Sequence, residues 1–280
     1  MKLARLSLLS LLALVSVTVV FAADPPPLKT TTLGRGSTVV LVHGLGGNRT
    51  DWLPTTKRLL ANHRVVMVDL PGHGDSPTLP DPFSLAAAAA QLDAVLAQQN
   101  PESTIVVGHQ FGGVVALLEA SAHPERMRGL ILIDTPVKSP VPIEDQEKRR
   151  FVAFMDNNYD AFLGMMFKRL GRDTTQGKQI HAGASTVQPN TIKSYLREML
   201  NMDANKSLKA LKVPLALILT ERVSPKTETW GTAAKKLGWE DSTRVVPYRV
   251  ADAGYWIMKD QPDSLAGFID RFATEKIAKK

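Results

Sequence analysis

The chain has 280 residues, of which 44% are hydrophobic and 22% are charged, a balance that suits one compact domain with a sizeable core. It contains no cysteine, which excludes disulfides and thiolate metal sites. The formal net charge is +7, but the basic residues are spread along the chain, so a nucleic-acid partner is not expected. No HExxH or comparable ligand spacing occurs, and neither a metal ion nor another cofactor is predicted.

Residues 1–23 differ in composition from the rest of the chain. Lys2 and Arg5 give a basic start, an apolar run follows, and Ala22 and Ala23 provide small residues at its end. This pattern is typical of a secretory signal peptide, so we expect its removal and a periplasmic or secreted mature protein. An uncleaved segment would instead anchor the protein in a membrane, although the run is short for a spanning helix.

Strands and helices alternate after a proline-rich segment, 24–36, which we expect to be an exposed leader. This alternation predicts an α/β fold, with a mostly parallel sheet covered by helices on both faces. In such sheets the functional residues lie in loops beyond the carboxyl ends of the strands. β-Branched apolar runs predict strands at 37–44, 64–74 (running into a turn), 103–109, 128–136, 213–220 and 243–250. Capping residues and helical periodicity predict helices at 50–62, 84–99, 112–123, 227–239 and 262–276.

Residues 137–210 interrupt this alternation. They are mostly helical in pattern and rich in Met and Phe, and we interpret them as a helical cap inserted between two strands. The core would then comprise 37–136 and 211–280. We expect most apolar cap residues to fill the cap's own core and some to face a pocket beneath it.

Four motifs, in the same order and strand context, resemble those of the α/β-hydrolase fold family. LVHGLGG at 41–47 resembles the family's oxyanion loop, and VDLPGHGDSP at 68–77 resembles its second loop. VVGHQFGG at 106–113 resembles the nucleophile elbow, G-x-S-x-G, which runs from a strand into a helix. VADAGYW at 250–256 resembles the segment that carries the catalytic histidine. The resemblance covers 37–274 and implies an α/β-hydrolase fold with a helical cap.

Two central positions of the implied catalytic triad are substituted. The nucleophile position holds Gln110, and a carboxamide is not a nucleophile. The base position holds Tyr255, a poor base because the usual pKa of tyrosine is about 10. None of the six histidines falls at the base position, and we expect His109, beside the elbow, to be structural or to line the pocket.

The acid position of the triad is ambiguous. The usual position falls at about Val223, whereas some family members place the acid after the preceding strand, which here gives Asp134. Without a histidine to orient, we favour Asp134 as a residue that caps the end of a strand. The resemblance therefore implies that an intact Ser-His-Asp triad is absent and that serine-hydrolase activity is not expected.

The backbone donors of the oxyanion hole do not depend on side-chain identity. The motif match assigns them to the N–H groups of Leu45 and Phe111. We therefore expect the side-chain oxygen of Gln110 to bend toward these donors and its NH2 group to reach the hydroxyl of Tyr255. Such an arrangement would close the pocket from within.

These observations favour an exported, non-hydrolytic pseudohydrolase that binds a small apolar or ester-like molecule under its cap. The alternative is an active family enzyme, of ester hydrolase or lyase type, that uses a non-standard catalytic group such as Tyr255, Asp134 or a cap residue. No amphipathic patch indicates a specific protein partner. The predicted oxyanion and ligand-binding positions are His43, Gly44, Leu45, Phe111, Trp52 and Trp256.

Overall fold

A computed structural model describes residues 26–78, 82–139 and 144–277 of the protein. The signal peptide predicted at 1–23 lies outside these residues. Within them, one mostly parallel sheet carries helices on both faces, so the predicted architecture is confirmed. No helix in this part of the chain is long and apolar enough to cross a membrane.

Seven strands of the described residues form the sheet. They are β1 (Thr30–Gly34), β2 (Ser37–Val42), β3 (His63–Val68), β4 (Thr104–His109), β5 (Gly129–Ile133), β6 (Leu215–Thr220) and β7 (Tyr248–Val250). Their order in the sheet is β1-β3-β2-β4-β5-β6-β7, and β1 is antiparallel to β3 whereas every other pair is parallel.

The two edges of the sheet differ from the prediction. β1 lies within the segment 24–36 expected to be a leader, and its backbone pairs with β3 from Thr30 to Gly34. β7 covers only the last part of the strand predicted at 243–250. It begins immediately after Pro247, which has no N–H group to donate to a neighbouring strand.

Eleven α-helices are formed by the described residues. They are α1 (Leu53–Leu59), α2 (Leu85–Leu96), α3 (Phe111–Ala122), α4 (Asp145–Asn157), α5 (Tyr159–Phe167), α6 (Thr174–Ala184), α7 (Pro189–Asn201), α8 (Asn205–Ala210), α9 (Trp230–Lys236), α10 (Ile257–Asp260) and α11 (Pro262–Ile277). Helices α4 to α8, called the inserted helices below, follow β5 and precede β6 in the chain, in the region where the sequence predicts a cap.

Alternate strand residues point to two cores, one on each face of the sheet. Val40 and Val106 belong to the larger core, which also includes residues of α2, α3 and the helices α5 to α7. Leu41 and Val107 belong to the other core, together with residues of α10 and α11. Because both faces are covered, the carboxyl ends of the strands are left to carry the functional site.

The inserted helices pack directly on the loop after β2. Gly46 has a φ of +75°, and a β-carbon at this position would lie 2.6 Å from the ring of Phe167 and 2.9 Å from Cβ of Ala184. Glycine is therefore required both by the backbone conformation and by the close approach of α5 and α6.

Candidate active site

Gln110 lies at a sharp turn between β4 and α3, the elbow predicted from the sequence. Its φ is +51° and its ψ is −116°, a conformation that costs a residue with a side chain about 1–3 kcal/mol. A β-carbon on Gly108 would lie 2.5 Å from Cα of Gly113, and one on Gly112 would collide with the carbonyl oxygen of His43. These close approaches fix the turn whatever side chain stands at its apex.

His43 holds the loop after β2 as a neutral imidazole. Its Nε2 accepts a 3.0 Å hydrogen bond from the N–H of Leu70, so its Nδ1 carries the proton and donates to the carbonyl oxygen of Gly44 at 2.8 Å. Burial lowers the pKa of His43. The 4.0 Å approach of Nε2 to Asp69 is therefore not an ion pair at neutral pH.

His73 supports the same loop from the other side. Its Nε2 accepts a 3.2 Å hydrogen bond from the N–H of Gly46, and its Nδ1 donates to the carbonyl oxygen of Pro71 at 3.0 Å. Burial, followed by the proximity of His43, lowers the pKa of His73 to about 3. The loop is thus held by two imidazoles that stay neutral at physiological pH.

The N–H groups of Leu45 and Phe111 make no hydrogen bond to any described residue. Both residues are more than nine-tenths buried, and Phe111 is the first residue of α3. Its N–H therefore lies at the positive end of the helix dipole. Two backbone donors without internal partners are what an oxyanion hole requires.

Three site groups converge on Gly44. A β-carbon on Gly44 would lie 2.7 Å from the hydroxyl of Tyr255, 2.9 Å from Nδ1 of His109 and 3.2 Å from Cβ of Gln110. The structure thus brings together the nucleophile position, the base position and the oxyanion loop, as the motifs predict. Only a glycine at position 44 leaves room for all three.

The side chain of Gln110 is half-buried and has no hydrogen-bond partner among the described residues. The hydroxyl of Tyr255 instead donates to the carbonyl oxygen of Leu45 at 2.9 Å. The arrangement expected from the sequence, in which Gln110 binds the oxyanion donors and Tyr255, is therefore not formed. The carboxamide of Gln110 is available to a water molecule or a substrate.

His109 and Tyr255 are uncharged at neutral pH. Burial, followed by the proximity of His43 and Arg222, lowers the pKa of His109 to about 3, and its buried Nε2 has no hydrogen-bond partner among the described residues. Burial raises the pKa of Tyr255 above its usual value. The two rings meet edge to face, with their centroids 4.8 Å apart. Neither group is a base with a pKa near neutrality.

Asp134 joins the ends of β5 and β6. Its carboxylate accepts hydrogen bonds from the N–H of Thr220 at 2.9 Å and from the hydroxyl of Thr220 at 2.6 Å. Burial raises the pKa of Asp134 to about 6, against the opposing effect of these bonds. Val223, the other candidate for the acid position, is partly buried against the larger core.

The two predicted tryptophans have different surroundings. Trp52 is fully buried in the core formed with α10 and α11, so its ring lies away from a pocket beneath the inserted helices. Trp256 is partly exposed, and Nζ of Lys259 lies 3.4 Å from the centroid of its ring.

Sequence reasoning did not identify a cavity of about 380 Å³ between the second loop and α7. The ring of Tyr195 lines this cavity and meets the ring of Phe111 edge to face, with centroids 5.8 Å apart. The buried ring of Tyr195 therefore stands between this cavity and Phe111. Its lining residues are Pro71, Thr78, Phe83, Asn190, Thr191, Ser194, Tyr195 and Arg197.

Known proteins resemble the chain in sequence. A family model described as alpha/beta hydrolase fold matches residues 37–210. The pimeloyl-[acyl-carrier protein] methyl ester esterase of Pseudoalteromonas atlantica is 32% identical over 175 residues, which cover 62% of this chain and 62% of the relative. The esterase of the same name from Neisseria meningitidis serogroup C is 46% identical over 94 residues, 34% of this chain and 35% of the relative. The chain therefore spans less than two thirds of the length of these two relatives.

Solved structures resemble the chain in fold. An esterase from Thermogutta terrifontis has a TM-score of 0.71 and 23% sequence identity, covering 89% of this chain and 93% of its own. A hydrolase from Oleispira antarctica has a TM-score of 0.74 and 16% identity, covering 88% and 94%. The α/β-hydrolase fold predicted from the motifs is confirmed.

The names of the sequence relatives contradict one prediction. The sequence favours a non-hydrolytic pseudohydrolase because Gln110 and Tyr255 replace the nucleophile and the base. The relatives are instead named as methyl ester esterases, which are enzymes, and that prediction is wrong. The alternative, an active enzyme of ester hydrolase or lyase type with a non-standard catalytic group, agrees better with these names.

Proposed function

The chain belongs to the α/β-hydrolase fold family, and we propose that it hydrolyses a small carboxylic ester by direct attack of hydroxide, without a covalent acyl-enzyme. One observation carries this proposal: among the described residues, the N–H groups of Leu45 and Phe111 and the side chain of Gln110 all lack partners, and Gly44, which precedes Leu45, meets Gln110 at the elbow. The names of the relatives support an ester as the bond that is cleaved.

The reaction needs no nucleophilic side chain. The ester's carbonyl oxygen accepts hydrogen bonds from Leu45 and Phe111, which stabilise the negative charge of the tetrahedral intermediate. The carboxamide of Gln110 orients the attacking hydroxide, as glutamine orients water in GTP hydrolysis. The new C–O bond forms, the bond to the alkoxide breaks, and the alkoxide takes a proton from water. The products are a carboxylic acid, which ionises, and an alcohol.

The protonation states of the site support this route. His109 is neutral because its pKa is about 3, and Tyr255 stays protonated because burial raises its pKa. Neither group supplies a general base at neutral pH, so hydroxide comes from solvent. The rate of hydrolysis should then rise steadily with pH above neutrality.

The cavity between the second loop and α7 supports a small substrate. Its volume of about 380 Å³ falls at the lower end of the usual range for ligand pockets, about 300–1,000 Å³. The ring of Phe83, which is partly exposed, offers apolar surface for an acyl or alcohol group. We propose that this cavity receives the apolar part of the ester.

The proposal is tested by hydrolysis of p-nitrophenyl acetate and butyrate. The oxyanion hole and binding alone leave about 10³–10⁴-fold acceleration over water when a triad is removed, so we expect turnover of that order. Product should form linearly from the first turnover, because no acyl-enzyme accumulates. Gln110→Ala should lower the rate by about tenfold or more, which also excludes a contaminating esterase.

Two results would contradict this mechanism. A burst equal to the enzyme concentration would mean that a covalent intermediate forms on another residue. A rate equal to spontaneous hydrolysis, or one unchanged in Gln110→Ala, would mean that the elbow does not contribute to ester cleavage.

We further propose that the protein is exported. The basic start, apolar run and small residues of 1–23 support this proposal. Expression of the full chain in a bacterial host, followed by mass spectrometry of the periplasmic and medium fractions, tests it. A product cut near Ala23 in either fraction is expected, and a full-length product found only in the cytoplasm would contradict export.

A further inference from the structure

Two side chains at the end of α3 farthest from Gln110, together with one on α2, offer metal ligands. Glu119 and His123 are four residues apart, so their side chains lie on one face of the helix end. Asp93 of α2 faces them across the packed helices α2 and α3. One ligand atom from each of the three residues lies within 4.8 Å of the other two.

Glu119 contributes a buried oxygen to which no N–H or hydroxyl group of the described residues donates. The residue is 1% exposed, and its Oε1 has no hydrogen-bond partner. A buried polar atom without a partner is costly, and such atoms are rare in native proteins. Burial raises the pKa of Glu119 to about 7, and the charge of Asp93 and a hydrogen bond between the two carboxyl groups add to this effect.

The surrounding charges leave a negative balance. Arg126 donates to Asp93 through Nε at 2.5 Å and through Nη2 at 3.3 Å. Nδ1 of His123 lies 3.2 Å from Oε1 of Glu125. The carboxyl groups of Asp93, Glu119 and Glu125 thus face one guanidinium and one imidazole. The carboxyl end of α3 adds the negative end of a helix dipole. A cation is electrostatically favoured at this end of the helix.

We propose that Asp93, Glu119 and His123 bind a Zn²⁺ ion between α2 and α3. Two carboxylates and one imidazole are ligands that zinc accepts, and a water molecule would complete four-coordination. Zinc bonds of about 2.1 Å place neighbouring ligand atoms about 3.4 Å apart, so the three side chains must approach one another slightly. The side chains of Asp93 and His123 are 23% and 45% exposed and can move, which also gives the ion a path from solvent.

The site is tested on the full chain, prepared without a histidine tag. Equilibrium dialysis against ZnCl2 should give one bound ion per chain, and zinc in excess should raise the Tm by about 5 °C. Mg²⁺ should have little effect, because it prefers a shell of oxygen ligands and bound water. Glu119→Gln and His123→Gln should each weaken zinc binding by about tenfold or more. His181→Gln, which removes a partly exposed cap histidine, is the matched control and should bind zinc like the parent.

The proposal is overturned if the parent binds less than one zinc ion per chain at about 1 mM zinc. It is also overturned if binding is unchanged in both Glu119→Gln and His123→Gln. Should Glu119→Gln fail to fold, His123→Gln decides the question, because the side chain of His123 is 45% exposed and is not part of either hydrophobic core.

Discussion

The hydroxyl of Tyr255 donates a 2.9 Å hydrogen bond to the carbonyl oxygen of Leu45. This bond connects the position of the missing base to the loop that carries an oxyanion donor. Since Tyr255 is buried and protonated, it acts by holding the loop and not by transferring a proton. It is therefore a positioning residue in the proposed mechanism.

Tyr255→Phe should reduce both stability and turnover. The carbonyl oxygen of Leu45 loses its partner, which should lower the free energy of unfolding by about 1–3 kcal/mol in urea denaturation. The kcat for p-nitrophenyl butyrate should fall because the N–H of Leu45 is less firmly held, whereas the dependence of rate on pH should keep its slope. A changed slope would mean that the phenol takes part in proton transfer.

Gln110→Gly should raise the stability of the protein and lower its activity. Glycine relieves the strain of a φ of +51°, but it also increases the conformational entropy of the unfolded chain, which opposes part of this gain. We expect the free energy of unfolding to rise by about 1 kcal/mol. Turnover should fall as in Gln110→Ala, which retains a β-carbon and hence most of the strain. Equal stability of the two variants would show that the elbow stores no strain at Gln110.

Rebuilding the triad should produce a covalent intermediate. The elbow and the free donors of Leu45 and Phe111 are already present, so Gln110→Ser with Tyr255→His supplies the missing nucleophile and base. Adding Val223→Asp supplies an acid to orient the histidine. We expect burst kinetics and labelling by a fluorophosphonate in the triple variant, with weaker activity in the double one. A triple variant without labelling would indicate that the apex does not face the substrate carbonyl.

Stability should fall in acid because of two buried histidines. His73 and His109 have folded pKa values of about 3, below the usual 6.5. Between pH 3 and pH 6.5 the unfolded chain therefore binds more protons than the folded protein. The free energy of unfolding should be highest above about pH 6.5 and should decline toward pH 3, by as much as about 4 kcal/mol per histidine. Asp134, whose pKa is raised to about 6, opposes this trend between about pH 4 and pH 6, because its contribution to stability is lost as pH rises.

Urea denaturation across this range measures the effect. His109→Phe, which keeps a ring against Tyr255, should show a smaller decline in stability than the parent. His123, whose side chain is 45% exposed, is changed to Gln as the control, and this variant should leave the decline nearly unchanged. Identical declines in His109→Phe and the parent would mean that His109 does not resist protonation in the folded state.

The sequence predicts the interior of the sheet better than its edges. Runs such as STVVLV are buried on both faces and can be recognised from their apolar, β-branched residues. The edge strand TTTLG is mostly exposed and carries no such pattern, so only its pairing with β3 reveals it. The strand at the opposite edge is shorter than expected because Pro247 interrupts it.

In the candidate active site, too, some features can be predicted from the sequence and others cannot. Motif order is enough to place Gln110 and Tyr255 together, because it follows from the topology of the sheet. The partner of the Tyr255 hydroxyl depends on the distance between two loops far apart in sequence, which no local pattern encodes. The oxyanion donors are predictable because they belong to the backbone, whereas the direction of the Gln110 side chain is not.

Gly46 lies beneath Phe167 and Ala184, so the inserted helices and the oxyanion loop share one contact surface. If α5 and α6 move outward, the loop loses its cover, and the N–H groups that it carries are less firmly held. Amide hydrogen exchange at residues 44–47 should report the frequency of that movement, and a bulkier residue at position 46 should increase it.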